Sequence, residues 1–180
     1  MKYIYGEEVR YKHDLVRPED FDKLQAFSCG NSRMDDYIRH GLICNQVVDV
    51  SDALPYKVYD EKDGEIIAIY SLASSGIIVK LDNYTKVLPS IKIDIFAVDV
   101  KYQKMFMEKA SEMSSDPDNH FYLSDCVLCD VIRKCRSISE STIAANYIVL
   151  YADKDARRFY ERNLFEDFSA YMEKELNMEA

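Results

Sequence analysis

The sequence predicts a mixed α/β fold built on one central sheet, and three observations carry that reading. Asp63-Gly64 separates two runs of strand character, which is a hairpin signal. Ser90 to Val98 is rich in β-branched and aromatic residues and apolar enough for a central strand. An amphipathic stretch beginning at Leu123 then separates that run from a second apolar run, Ile143 to Ala152. Strand, helix and strand in that order imply a parallel crossover on a sheet that is otherwise mostly antiparallel and flanked by helices.

Taken in chain order, Val9 to Val16 reads as a first strand, ended by Arg17-Pro18. Pro18-Glu19-Asp20 is a helix start, with Pro in the first turn and acids at the positive end of the dipole. Asn31 is a suitable N-cap for a helix carrying Met34, Tyr37, Ile38 and Leu42 at helical spacing. Leu54 to Asp60 is a strand, Glu65 to Tyr70 and onward its hairpin partner, and Pro89 opens the central strand. Tyr102 to Met113 has helical spacing of Met105, Phe106, Lys109, Ala110 and Met113 before a turn-rich segment. Ser124 or Asp125 caps the next helix, whose apolar face holds Leu128, Val131, Ile132 and Cys135. Ala156 to Arg162 is a short helix, and Phe165 to Met172 alternates as a closing strand.

The 180 residues suit one domain, 1–180, with no repeat or low-complexity linker. No apolar run approaches the roughly 20 residues of a membrane span, and the N-terminus has no secretory pattern, so a cytoplasmic location without membrane attachment is expected. The five cysteines (29, 44, 126, 129 and 135) are odd in number and unevenly spaced. Cys126 and Cys129 form a single CxxC on a helix; with no second pair to complete four ligands, buried structural cysteines are expected and no metal. His13, His40 and His120 form no ligand cluster in sequence. The net charge of −9 argues against nucleic acid, although tRNA is left open, and favours a cationic acceptor such as an amine or a lysine-bearing peptide.

Three segments carry a resemblance. Phe27-Ser-Cys-Gly30 followed by Met34-Asp35-Asp-Tyr37-Ile38, then Leu88-Pro89 through Phe96-Ala97-Val98-Asp99 to Tyr102-Gln103, then Ala156-Arg-Arg-Phe159-Tyr160-Glu with Phe165, resemble in order the motifs of GNAT N-acetyltransferases. The opening motif is similar to that of a bacterial branch including toxins of toxin–antitoxin pairs. The resemblance covers about residues 9 to 172. It implies acetyl-CoA as co-substrate and a GNAT-type sheet with a splayed strand pair, in which the backbone at Phe96, Ala97 and Val98 pairs with the pantetheine arm. It also implies Gln103, Ser124, Asp153, Ala156 and Phe159 as cofactor contacts and Tyr160 as the acid that protonates the departing thiolate. A core role for Tyr160 is the other reading.

The sequence departs from the family where the diphosphate would bind. Gln103 is followed by Lys104-Met-Phe-Met-Glu108 without the loop glycines. Either the loop is rebuilt there, or residues 104–121 are an insertion and the family's long helix is 123–139, the preferred alignment. Ser124 then caps the helix or binds a phosphate, while Asp125 puts a negative charge where an anion would sit. Leu164 replaces the usual Gly before Phe165, and Asp153 stands where many relatives carry Asn. Asp94 is a base if it faces the cleft and otherwise a solvent-facing or Lys-paired residue. Met105, Met107 and Met113 line a pocket, pack, or form a lid. Three functions follow: an N-acetyltransferase of a small-molecule or peptide amine, an inactive GNAT-fold binding module with a partner or as a homodimer, and a toxin acetylating aminoacyl-tRNA with an antitoxin partner.

Overall fold

A computed structural model describes residues 2–4, 7–42, 53–80, 84–107 and 121–171. The chain divides into two compact units, Met1–Leu150 and Tyr151–Ala180. Cys44, His120, the part of the expected Tyr102–Met113 helix beyond Met107, and the tail from Glu173 lie outside the described residues.

The first unit holds a two-stranded antiparallel pair, β1 (Lys2–Ile4) and β2 (Glu7–Val9), and a five-stranded sheet. The sheet contains β3 (Tyr11–Leu15), β4 (Leu54–Asp60), β5 (Ile66–Lys80), β6 (Thr85–Val98) and β7 (Tyr147–Leu150), in that spatial order. All pairs are antiparallel except β6 with β7. The expected strand from Val9 to Val16 is two strands. Val9 pairs with Lys2, whereas Tyr11 pairs with Asp60, so the backbone changes partner at Arg10.

The turn between β4 and β5 is built as its residues dictate. Gly64 has φ 73°, a left-handed conformation that glycine adopts without strain, and Asp63 accepts a hydrogen bond from the Glu65 amide. Pro89 lies inside β6 rather than at its start. Its carbonyl accepts the Asn146 amide on the β7 side, so its missing N–H also faces that side, just before the β7 ladder begins at Ser90. No sheet hydrogen bond is lost.

Helices cover both faces of the sheet. A 3-10 turn at Pro18–Asp20 leads into α1 (Phe21–Ala26), and Asn31 caps α2 (Ser32–Asp36) by accepting the Met34 amide at 3.2 Å. A π-helical turn, Tyr37–Gly41, continues α2. Leu24, Phe27, Ile38 and Leu42 pack with Ile69, Ile95 and Ala97 of the sheet. Tyr70, next along β5, points to the other face. It stacks on Tyr56 at 5.0 Å, and α3 (Leu123–Ser141) covers that face. Lys134 of α3 lies 4.4 Å over the Tyr56 ring, and Asp130 accepts a 2.5 Å bond from Tyr11. Val127, Leu128, Val131 and Cys135 of α3 are buried.

The described part of the expected Tyr102–Met113 helix is not helical. The Asp99 carboxylate accepts the Lys101 amide and its carbonyl accepts those of Tyr102 and Gln103, closing a turn at the end of β6. The chain then becomes extended and pairs through Phe106 with Tyr122. β7 covers only four of the ten residues expected from Ile143 to Ala152.

In the second unit, a 3-10 turn (Lys154–Ala156) precedes α4 (Arg157–Arg162). The expected closing strand from Phe165 is absent over the described residues, and 168–171 form a helical turn instead. Asp167 nucleates it, its carboxylate accepting the Ser169 amide and its carbonyl that of Tyr171.

Candidate active site

The central strand β6 carries an extra residue. Ser71 of β5 faces Ile95 and Leu72 faces Ile93, so Asp94 has no opposite number. A bulge reverses the alternation of a strand. Before it, the Pro89 carbonyl meets Asn146 on the β7 side; after it, the Asp99 amide meets Ile67 on the β5 side. The backbone N–H and C=O of Phe96 and Val98, rather than those of Ile95 and Ala97, therefore face away from β5. The pairing of β7 ends at that point, with Leu150 opposite Ile93, while β6 runs on to Val98. The parallel ladder thus stops short of the end of β6.

Of the three residues expected there, Phe96 and Val98 turn backbone groups to this side. Ala97 is opposite Ile69 in the sheet and buries its methyl under α1 and α2. Gln103 is placed as a clamp: its side-chain amide donates to the carbonyls of Val98 and Cys29, each at 2.8 Å. Asp94 is exposed and ion-paired with Lys92, which is the solvent-facing reading.

A buried network fixes the Ser28-Cys29-Gly30 turn against the end of β6. The Asp35 carboxylate accepts from the Ser28 hydroxyl and the Cys29 amide, both at 2.7 Å, and Arg39 lies 4.0 Å away. Burial alone would raise the pKa of this carboxyl. The hydrogen bonds from Cys29 and Ser28, with Arg39, outweigh it and hold the group below the ordinary aspartate value. Asp99 accepts the Ser28 amide at 3.1 Å, completing the clamp. The Cys29 thiol is pushed up to about 11, chiefly by burial, so it is a poor nucleophile. The sequence reading missed Asp35 and Asp99 as organisers, although both lie inside the recognised motifs. It also missed Ser71, beside the bulge, whose buried hydroxyl has no hydrogen-bond partner among the described residues.

The start of α3 is closed. The Leu123 amide donates to the Met105 carbonyl and the Met107 amide to the Phe121 carbonyl, each at 2.8 Å. Asp125 is buried and accepts the Tyr122 amide at 2.8 Å. Tyr122, not Ser124 or Asp125, holds the N-cap position, and Ser124 is buried in the first turn. Met105 and Met107 belong to this closure, Met107 being buried. Cys126 and Cys135 are buried as expected; Cys129 is exposed, on the outer side of the helix. Among the described residues, no three His, Cys, Asp or Glu side chains are grouped to hold a metal.

Tyr160 belongs to the second unit and sits two residues before the end of α4. The Phe165 amide donates to the Tyr160 carbonyl and the Leu164 amide to that of Glu161. With Leu164 at φ 67°, this is a Schellman stop, and the Tyr160 and Phe165 rings make its hydrophobic contact at 5.8 Å. Phe159 meets Tyr160 edge-on at 5.1 Å. Burial, then the charge of Asp153, pushes the Tyr160 phenol up to about 12, so it stays protonated and able to donate. Asp153 itself is exposed and its carbonyl accepts the Ala156 amide.

No protein-family model and no curated protein matches the sequence. Solved structures do match. A tyrosine-to-phenylalanine variant of the toxin AtaT superposes with a TM-score of 0.65 at 14% identity, covering 91% of this chain and 87% of that one. AtaT complexed with acetyl-methionyl-tRNAfMet gives 0.62 at 15% identity over 85% of each chain. AtaTR bound with AcCoA gives 0.60 at 15% identity, over 85% of this chain and 82% of that one. With its bulged central strand, its parallel crossover and a β7 ladder that stops short, the chain has the GNAT fold in the form shared with these toxin structures.

Proposed function

We propose that the chain is an acetyl-CoA-dependent N-acetyltransferase. The observation that carries this is the β6 backbone beyond Ile93, where the bulge turns Phe96 and Val98 toward the side that β7 has left. A pantetheine arm contains two amides, which match the spacing of an extended strand. The fold shared with a structure that holds AcCoA supports the same donor.

In this reading the amine nitrogen forms a bond to the acetyl carbon, the carbon–sulfur bond breaks, and the proton lost by the amine ends on sulfur. The resemblance gives Tyr160 the delivery of that proton, and its environment keeps the phenol protonated for the task. The clamp of Asp35, Asp99 and Gln103 holds the Ser28–Gly30 turn against the end of β6, which fixes the edge in place before a ligand arrives. The net charge of −9 favours a cationic amine as acceptor.

A second acceptor class has a specific observation behind it. Among the similar structures, AtaT is complexed with acetyl-methionyl-tRNAfMet, and another is bound to the C-terminus of the antitoxin AtaR. Charged tRNA is thus the first macromolecular acceptor to test, with an antitoxin as the accompanying partner. Incubation of the purified chain with labelled acetyl-CoA and a panel of amines, lysine peptides and charged tRNAs is the experiment. An N-acetyl product supports the reading and names the acceptor class. If acetyl-CoA fails to bind at millimolar concentration, the inactive binding module takes its place.

A further inference from the structure

The proposed reaction needs a place for the amine, and one face of the sheet changes character beside the bulge. Ile69 of β5, with Ile95 and Ala97 of β6, lies in the apolar cluster under α1 and α2. Every second residue of a strand shares a face, so Ser71, Ala73 and Ser75 continue the face of Ile69. Lys92 is opposite Ala73 and Ser90 is opposite Ser75, which puts both on that face as well. The face thus turns from isoleucine to serine at the level of Asp94.

Ser71 and Ser90 are each only 2% exposed, and among the described residues neither hydroxyl has a hydrogen-bond partner. A buried hydroxyl left unbonded costs free energy that alanine would avoid, so two of them on one face call for a ligand that completes them. The surface between them is open in part: Ala73, Ser75 and Lys92 are half-buried and Asp94 is exposed. The charged side chains of 71–75 and 90–94 are Lys92 and Asp94, and they are paired with each other. The strip therefore offers neutral hydroxyls rather than an unpaired charge. The helix over this face carries the π-helical turn Tyr37–Gly41, whose Ile38 packs with Ile69 and Ile95. Such turns recur at functional sites.

We propose that Ser71 and Ser90 form the acceptor subsite, and that it selects a hydroxylated amine of about monosaccharide size over an alkylamine or a polyamine. The inference rests on the N-acetyltransferase reading and adds the acceptor side to it. Four residues of strand, about 13 Å, separate the levels of the two serines. Less a hydrogen bond of roughly 3 Å at each end, that span fits one sugar-sized molecule lying over Ala73.

The test is turnover of labelled acetyl-CoA by the full chain with three probes: glucosamine, hexylamine and spermidine. The proposal expects kcat/KM for glucosamine at least tenfold above the other two. Ser71→Ala and Ser90→Ala are each expected to raise KM for glucosamine at least threefold, with kcat and acetyl-CoA affinity unchanged. Each variant should also unfold at a urea midpoint no lower than the parent's, a combination that a hydroxyl already bonded within the protein would not give. A lower midpoint for both variants, an unmoved KM in both, or an equal or reversed probe preference overturns the proposal and leaves the acetyltransferase reading standing. Binding of acetyl-CoA without acetylation of glucosamine does the same. Failure of acetyl-CoA to bind overturns that reading and the inference with it. Should a variant not fold, the probe comparison on the unaltered chain decides the matter.

Discussion

Leu164 stands with φ 67° at the position after a helix end that glycine normally takes, and its side chain is 92% exposed. A left-handed non-glycine residue is strained by about 1–2 kcal/mol, and Leu164 has no burial to offset that. Glycine would lose more chain entropy on folding, by roughly 0.5–1 kcal/mol. Leu164→Gly is thus expected to raise stability by up to about 1 kcal/mol, read from the urea midpoint; destabilisation would mean the Leu side chain has a role of its own. Tyr160→Phe removes only a hydroxyl from a ring held by Phe159 and Phe165. Turnover should fall about 100-fold with donor affinity unchanged, in line with loss of a general acid. For Asp35 the folded value lies below the unfolded one. Its contribution is fully present above the ordinary value of about 4 and is lost as pH falls through the folded value. Acid titration of the Asp35→Asn variant should accordingly show a shallower stability loss below about pH 4 than the parent. Parallel curves would remove Asp35 from the clamp.

At the scale of elements, the parts of the sequence with local signals gave their structure away. Leu54–Asp60, the Asp63-Gly64 turn, the Asn31 cap and the long helix from Leu123 each depend on residues within a turn or two of themselves. The failures have non-local causes. Tyr102 to Met107 has helical spacing, but Asp99 caps a tight turn and Tyr122, distant in sequence, pairs the following residues into an extended segment. Phe165 onward alternates like a strand, yet Asp167 starts a helical turn. The bulge at Asp94 was illegible because it is a property of two strands in register, and no single strand reveals it. Asp94 itself, paired with Lys92 near the surface, adds little stability. Deleting it would close the ladder without a slip, since Leu72 is already opposite Ile93 and Ser71 opposite Ile95. Asp94→Gly keeps the bulge and should cost ~1 kcal/mol or less. A markedly larger loss in urea unfolding would show that the side chain, not the extra residue, matters.

At the scale of the molecule, the fold was legible from three motifs in order, and the site was legible only in part. Which of Phe96, Ala97 and Val98 turn their backbone groups away from β5 is set by the bulge, which the sequence does not show. Gln103 and Ser124, named as cofactor contacts by resemblance, lie in places fixed by the chain's own hydrogen bonds and packing. The account therefore centres on one strand edge. Backbone hydrogen exchange of the full chain, with and without saturating acetyl-CoA, tests it most directly, since it needs no acceptor. Slowed exchange at the Phe96 and Val98 amides is the predicted result. Unchanged exchange along 94–98 would contradict it.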